Sequence, residues 1–481
     1  MRLSELLYDI ADMGVTRDCE IEKITTRAAE AANKTLCFCI KGRKEDGHRY
    51  AAKAAQRGAV IICERECGVS GAIRVPDVRA CYARVCARWY GDPAKEMVLC
   101  AVTGTNGKTS VATVIYRLLS RCGKKAGMIG TTGAEWQNHA ESLSLTTPDP
   151  KELHRILRKM ADAGVTHVVM EASSHALDQK RLAGIRFFAG IFTNLTQDHF
   201  DYHENMVEYF CAKKTLFAQC ERAVICIDDS YGKELAAALD IPVQTVSRSG
   251  DAAHYEIRNM QSDALGVTFR LSCFGMNESV RFGVPGDFSA ENAVCAVACC
   301  AMLGIGIESL LPKLARVGTI PGRCEVIENR LGITVVCDYA HTPDGLEKLL
   351  CAVRGFTKKQ LIVVFGCGGD RDRKKRPLMG AAAARYADFI VLTSDNPRSE
   401  RPGAILSDIR KGFPPFVSYI ALTSRAAAIR YAIDRAKPGD TVVFAGKGHE
   451  SGQNIAGKQF AFDERRMIRR IITLTEEKTL S

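Results

Sequence analysis

The run Thr103-Gly104-Thr105-Asn106-Gly107-Lys108-Thr109-Ser110 sets glycines, a lysine and hydroxyls at the spacing that binds phosphate. Glycines let successive backbone N–H groups close around phosphate oxygens, and a helix N-terminus adds its dipole. In that arrangement Lys108 reaches the β- and γ-phosphates and the Thr109 hydroxyl ligates Mg²⁺. The run departs from G-x-x-x-x-G-K-[ST] at one place: Val102 holds the first glycine position and Gly104 takes over the turn. An ordinary glycine-rich turn would not need Lys-Thr at its end, so nucleotide binding is the favoured reading.

Further groups with chemistry follow apolar runs. Glu171-Ala172-Ser173-Ser174-His175 comes after a run ending at Met170, where a carboxylate serves either a Mg²⁺ ion or a helix cap. Asn194 to His203 packs Asp198, His199, Asp201 and His203 into one loop, which suits a second divalent ion better than zinc, because no cysteine accompanies them. Lys213 falls in the helical run Met206 to Phe217, where spacing alone makes it a solvated surface group. Arg371 and Arg373 follow Phe365-Gly366-Cys367-Gly368-Gly369, and Arg398 ends Ser394-Asp395-Asn396-Pro397-Arg398. Guanidinium forks bind carboxylates, so two facing one cleft suggest an acidic or zwitterionic ligand. Glu450, in Ala445-Gly446-Lys447-Gly448-His449-Glu450, offers a carboxylate to an amine.

The elements that must hold these residues alternate between strand and helix. The apolar run Met97 to Val102 reads as a buried strand before the phosphate loop, and Val111 to Leu119 as the helix after it. Residues 1–95 form a small α/β unit, with strands at Leu36–Ile40 and Ala59–Ile62, a helix at Ala51–Arg57 and a linker at Gly91-Asp92-Pro93. Residues 96–323 carry strands at Thr166–Met170, Phe188–Phe192 and Ala223–Ile227, antiparallel edge strands between Ser247 and Gly286, and a helix at Ala290–Leu303. Residues 324–481 form a third series, with strands at Ile333–Cys337, Leu361–Phe365, Phe389–Leu392 and Thr441–Phe444. The fold class is α/β in three domains, the central one a mostly parallel sheet. Ligands in such sheets sit at the carboxyl ends of the strands.

Composition bounds the rest. The 481 residues are too many for one core, and 46% hydrophobic with 25% charged residues is ordinary for a globular chain. Net charge is +11 without an aromatic-interleaved basic patch, so a nucleic-acid-stimulated ATPase is disfavoured and phosphate-rich small substrates suffice. The 20 cysteines form no C-x-x-C pair; Cys100, Cys226, Cys295 and Cys337 lie in apolar runs and read as buried thiols in a reducing cytoplasm. No secretory segment and no membrane-crossing run is evident, and a cytoplasmic monomer without nucleic-acid or membrane partners is expected.

Taken together, the motifs resemble those of the Mur ligases, ATP-dependent peptide-bond-forming enzymes of cell-wall precursor synthesis. The markers are Thr103 to Thr109, Met170-Glu171-Ala172-Ser173-Ser174-His175, Thr193-Asn194-Leu195 with Asp198-His199, Ala212-Lys213, Gly322-Arg323, Asp338-Tyr339-Ala340-His341-Thr342-Pro343 and Gly446-Lys447-Gly448-His449-Glu450. The resemblance is strongest to members that add the third residue to UDP-N-acetylmuramoyl-L-alanyl-D-glutamate. It implies a UDP-binding first domain, an ATP-binding P-loop domain and a Rossmann-like domain for the incoming amino acid. It also implies that Gly104 to Ser110, Asn292, Arg323 and Asp338 contact ATP, and that Thr26, Thr146, Thr147, Ser173, Gln179 and Arg181 contact the muramoyl-dipeptide. Two Mg²⁺ ions are implied, one on Thr109 and Glu171, the other on Glu171, His199 and a carbamate on Lys213, with Lys108, Glu171, His199 and Lys213 as the catalytic set.

Members that add meso-diaminopimelate carry Asp-Asn-Pro-Arg, as here at Asp395-Asn396-Pro397-Arg398. Arg371 and Arg398 would grip one carboxylate of that diamino diacid, and Gly446 and Glu450 its other end. L-Lysine is the alternative substrate, and a folylpolyglutamate synthetase or a non-enzymatic nucleotide-binding regulator are more distant alternatives. Three positions depart from the family pattern: Thr25-Thr26-Arg27 stands for Asp-Ser-Arg, Leu145 for an asparagine and Ser289 for an asparagine.

Overall fold

The computed structural model describes residues 1–14, 16–42 and 45–480, with side chains through 478. The chain opens with helix α1 (Leu3–Leu7) and strands β1 (Lys23–Thr25) and β2 (Thr35–Phe38). Then come α2 (Ala51–Gln56), β3 (Val60–Cys63), β4 (Ile73–Arg74) and α3 (Val78–Trp89). The middle stretch begins with β5 (Val98–Thr103), α4 (Lys108–Arg121), β6 (Ala126–Gly130), β7 (Gly133–Trp136), β8 (His139–Glu141) and α5 (Pro150–Asp162). It continues with β9 (His167–Glu171), α6 (Ser174–Asp178), β10 (Phe187–Phe192), α7 (Met206–Lys214), β11 (Cys220–Cys226) and α8 (Ser230–Ala238). It ends with β12 (Val243–Ser247), β13 (Tyr255–Asp263), β14 (Gly266–Cys273), β15 (Met276–Phe282), α9 (Asp287–Met302) and α10 (Ile307–Leu314). The last stretch holds β16 (Glu325–Ile327), β17 (Thr334–Asp338), α11 (Pro343–Phe356), β18 (Leu361–Phe365), α12 (Lys375–Tyr386) and β19 (Phe389–Thr393). After these come α13 (Pro402–Arg410), β20 (Tyr419–Leu422), α14 (Arg425–Arg435), β21 (Thr441–Ala445), β22 (Gly452–Ile455), β23 (Lys458–Ala461) and α15 (Glu464–Leu480).

Contacts divide the chain into two compact units. The first comprises Met1–Thr103, Gly123–Gly190 and Ala212–Arg222. Its four-stranded sheet runs β1-β2-β3-β4, all parallel, over a core of Leu3, Ile24, Leu36, Phe38, Ile62 and Tyr82. Its other strands follow the order β10-β5-β9-β6-β7-β8; β5, β9 and β6 are parallel and β7 and β8 form an antiparallel extension. Helix α5 shows why the local sequence folds as it does. Asp149 caps it by accepting from Lys151 N, Pro150 fills the first turn, and Leu153, Ile156, Leu157 and Met160 form the buried stripe.

The second unit comprises Gly104–Cys122, Ile191–Cys211 and Ala223–Ser481. From Ala223, β11 pairs in parallel with β12 and β12 with β13; β13, β14 and β15 complete an antiparallel edge, as the polar sequence there implied. Helix α9 is buried on all sides and packs on α4, which its alanines and cysteines permit because small side chains let helices approach closely. A six-stranded sheet runs β16-β17-β21-β18-β19-β20, parallel except for β16. Its central strands are continuous apolar runs because helices cover both faces. The loops after β18, β19 and β21 therefore emerge side by side at the carboxyl edge. Among the described residues no helix is long and apolar enough to cross a membrane.

Candidate active site

In the second unit the phosphate loop is a tied backbone cradle. Thr193 Oγ1 donates to the Asn106 carbonyl at 2.6 Å, and Asn106 N donates to Asn194 Oδ1 at 2.9 Å. Thr105 Oγ1 lies 3.1 Å from the Thr196 carbonyl and 3.2 Å from the Tyr209 hydroxyl. Gly107 caps α4 at φ +88°, and a Cβ there would stand 2.3 Å from Asn292 Oδ1. The loop thus needs glycine both for its left-handed turn and for the approach of Asn292. Lys108 Nζ folds back onto the carbonyls of Gly104 and Thr105, 2.9 Å from each. The ammonium is held at the loop's mouth, where an anionic ligand would compete for it.

Arg323 extends this site. Its Nη2 donates to Thr109 Oγ1 at 2.7 Å and its guanidinium lies 4.7 Å over the Tyr339 ring. Its Nε is buried without a hydrogen-bond partner, an orphaned donor of the kind a phosphate or ribose oxygen satisfies. Asp338 accepts from the amides of Cys324 and Ala340 at 2.6 Å each; burial raises its carboxyl above the ordinary range against the pull of Arg323. Sequence reasoning missed Asp344, whose Oδ2 accepts from Asn106 Nδ2 at 3.0 Å and from Thr196 Oγ1 at 3.3 Å. An acid one residue after Pro343 reads as a first-turn dipole partner, and nothing in the sequence points 238 residues back to Asn106.

The histidine loop gathers around Asp198. Its Oδ2 lies 3.3 Å from His199 Nε2 and 3.8 Å from His341 Nε2. Burial would raise Asp198, but the charges of His199, His341 and Lys375 outweigh it and hold the carboxyl well below the usual range. His199 takes a left-handed φ of +58°, an uncommon conformation that fixes where its ring stands. Lys375, which sequence reasoning missed, donates to the His341 carbonyl at 3.0 Å.

At the carboxyl edge of the six-stranded sheet Arg371 and Arg398 both border Gly368. A Cβ on Gly368 would lie 2.9 Å from Arg398 Nη1 and 3.6 Å from Arg371 Cγ, so both arginines line the same glycine. Arg398 Nη1 donates to the Gly369 carbonyl at 2.7 Å, and Arg371 pairs with Asp201 at 3.0 Å. Arg373 instead points outward to Glu400. Asn396 Nδ2 donates to Asp395 Oδ1 and to Glu450 Oε2, each at 3.0 Å. Lys447 Nζ ties Asn396 Oδ1 at 3.0 Å and Glu450 Oε2 at 2.9 Å. The loop after β19 and the loop after β21 are thereby joined, with Glu450 facing from one side and the arginine pair placed on the loops after β18 and β19.

In the first unit Glu171 ends β9. Its Oε1 accepts from Thr131 N at 2.8 Å and its Oε2 from Thr131 Oγ1 at 3.0 Å. It does not cap a helix, because the cap of α6 is Ser173, which accepts from Ala176 N. Thr146 Oγ1 lies 3.2 Å from Thr131 Oγ1, and Thr147 Oγ1 donates to the Glu171 carbonyl at 2.8 Å. Ser173 N donates to Thr147 Oγ1, and Arg181 donates to the Thr147 carbonyl and to Gln179 Oε1. Thr146, Thr147, Ser173, Gln179 and Arg181 therefore form one polar cluster with Glu171. Thr131, which sequence reasoning missed, is the hydroxyl that orients the carboxylate. Thr26 sits half-buried in the bend after β1, a strand tied to α5 by Lys151 Nζ donating to the Ile24 carbonyl.

Lys213 corrects its spacing-based reading. It is 1% exposed, buried rather than solvated. Helical spacing places a residue on a face but does not say what packs over that face.

Comparison with known proteins gives consistent matches. The Mur ligase middle domain family matches residues 102–300, and the Mur ligase, glutamate ligase domain family matches residues 322–448. A UDP-N-acetylmuramoyl-L-alanyl-D-glutamate--2,6-diaminopimelate ligase of Clostridium botulinum is 39% identical over 94% of this chain and 95% of its own length. A solved structure of a UDP-N-acetylmuramoyl-L-alanyl-D-glutamate--2,6-diaminopimelate ligase superposes with TM-score 0.68 at 32% identity, covering 95% of each chain. The MurF ligase from Thermotoga maritima in complex with ADP superposes with TM-score 0.64 at 17% identity, covering 95% of this chain and 98% of that one, a likeness of fold.

Proposed function

The chain belongs to the Mur ligase family, and from that premise we propose that it joins meso-diaminopimelate to UDP-N-acetylmuramoyl-L-alanyl-D-glutamate with cleavage of ATP to ADP and phosphate. The observation that carries the choice of amino acid is the pair Arg371 and Arg398 at Gly368, with Glu450 held opposite by Asn396 and Lys447. A guanidinium suits a carboxylate, and a carboxylate suits an amine; L-lysine lacks the second carboxylate that Arg398, with Arg371 beside it, would receive.

A bare carboxylate is a poor electrophile, so the reaction needs two steps. An oxygen of the D-glutamyl γ-carboxylate attacks the γ-phosphorus of ATP, the bond to the β-γ bridging oxygen breaks, and ADP leaves. The amine of diaminopimelate then attacks the acyl phosphate carbonyl, loses a proton, and the tetrahedral intermediate expels inorganic phosphate. Lys108 releases the Gly104 and Thr105 carbonyls to meet the triphosphate, and the loop amides cancel developing charge. Asn292, Arg323 and Asp338 hold the nucleoside and its phosphates. Thr26, Thr146, Thr147, Ser173, Gln179 and Arg181 bind the muramoyl-dipeptide. Residues 1–95, 96–323 and 324–481 are the proposed UDP, ATP and amino-acid domains.

Thr109, Glu171, His199 and Lys213 are the proposed ligands of two Mg²⁺ ions. The donor chemistry fits: the Glu171 carboxylate is buried and fixed by Thr131, and hard oxygen donors suit Mg²⁺. Lys213 is buried, and a carbamate on its ε-amine would be a further oxygen donor. Bound Mg²⁺ would neutralise phosphate charge.

A competition assay tests the reading. With ATP, muramoyl-dipeptide and equal meso-diaminopimelate and L-lysine, wild type incorporates diaminopimelate, and Arg398→Ala lowers its kcat/KM on the order of 10²-fold. Equal incorporation of the two amino acids by wild type refutes the substrate assignment.

A further inference from the structure

The side chain of Arg425, the first residue of α14, is 0% exposed, and its guanidinium binds at three separate places in the chain. Nε donates to Glu464 Oε1 at 2.6 Å, Nη1 to the Ser394 carbonyl at 3.3 Å and Nη2 to the Ala445 carbonyl at 2.9 Å. Glu464, the first residue of α15, is itself 0% exposed. Ser394 and Ala445 are the residues immediately before Asp395-Asn396-Pro397-Arg398 and Gly446-Lys447-Gly448-His449-Glu450. Strands β19 and β21 are not neighbours; β18 runs between them. One planar group therefore spans the width of β18 and grips the backbone at the start of both loops.

We infer that Arg425, neutralised by Glu464, is a positioning residue that sets the distance between the two loops proposed to hold the incoming amino acid. The inference rests on that assignment of the loops. Its physical warrant is the cost of the pair. Two ions buried in an apolar core add little net stability over apolar side chains of similar volume. A guanidinium has a fixed fork, so its two Nη atoms hold two carbonyls at one separation, which neither a lysine nor an apolar side chain can do. Lys447, also 0% exposed, makes a second tie at the loops themselves, to Asn396 and Glu450. Arg425 fixes the bases of the loops and Lys447 joins their tips, so the arginine pair and Glu450 face the substrate at a set spacing.

The test uses the full-length enzyme. Arg425→Lys keeps a cation for Glu464 but reaches only one carbonyl; Arg425→Met with Glu464→Met removes both charges, so no buried ion is left unpaired. For each, KM and kcat are measured for all three substrates, with amide hydrogen exchange over residues 394–398 and 445–450 in the unliganded enzyme. Both variants should raise KM for the amino acid about tenfold or more, leave KM for ATP and for the muramoyl-dipeptide within about twofold, and speed exchange in both loops. A double variant that is folded, exchanges as wild type does and keeps the wild-type KM for the amino acid overturns the inference. So does a uniform rise in all three KM values. Should wild type prefer L-lysine, the substrate assignment fails, and the same comparison made with L-lysine still decides the positioning role.

Discussion

His154 shows how much a single side chain can set. It lies in α5, 0% exposed, with neither ring nitrogen hydrogen-bonded. Burial lowers its pKa from 6.5 to about 4, and Asp92 pulls weakly the other way. The folded state therefore binds a proton less readily than the unfolded chain. Its neutral form is undisturbed above pH ~6.5, and folding stability falls as pH drops from there toward 4, by a total on the order of 3 kcal/mol. His154→Leu removes both the orphaned nitrogens and the titration. Urea unfolding at pH 7 and pH 5 should show a smaller stability loss in the variant than in wild type; equal losses would refute the assignment. At this scale motif spacing singled out Lys108, Thr109 and Arg398, each of which lies within a few residues of the rest of its motif. It did not announce the burial of Lys213, nor Thr131, Asp344 or Arg425, whose partners lie tens to hundreds of residues away.

Elements were legible where burial is uniform or one-sided. The apolar runs Leu361–Phe365 and Thr441–Phe444 became β18 and β21 within one residue, because central parallel strands are buried on both faces. Strand β20 escaped notice because it is an edge strand, half-exposed over Tyr419–Leu422. Hairpin β7–β8 escaped because Gln137, not glycine or asparagine, takes the left-handed φ of +49° in its turn. Helix α11 shows a start signal that was readable: Thr342 accepts from Gly345 N at 3.0 Å, Pro343 fills the first turn, and Leu346, Leu349, Leu350 and Val353 are buried. Thr342→Ala should cost about 1 kcal/mol in chemical denaturation, and Thr342→Ser should retain most of that stability, since it keeps the capping oxygen. Equal loss in both variants would mean that the buried methyl, not the cap, carries the effect.

Across the whole molecule, most of the twenty free cysteines sit where small hydrophobes would. Fifteen are buried, Cys19, Cys67 and Cys122 are half-buried, and only Cys211 and Cys351 are exposed. Burial pushes the Cys37 thiol up to about 11 and the Cys39 thiol up to about 12, so neither offers thiolate at neutral pH. Cys295, Cys299 and Cys300 are all buried in helix α9, which packs on α4 among other elements and leaves little room for larger side chains. Because thiol reactivity needs both thiolate and access, titration with an aromatic disulfide reagent should proceed in stages. Two thiols, Cys211 and Cys351, should react at once in the native enzyme, the three half-buried ones more slowly, and the remaining fifteen only with unfolding. Denaturant should expose all twenty, and a total below twenty in a freshly reduced sample would mean that some thiols are bonded. More than five reactive thiols in the native state would mean that the cores open on the timescale of the reagent, contrary to the packing around α9.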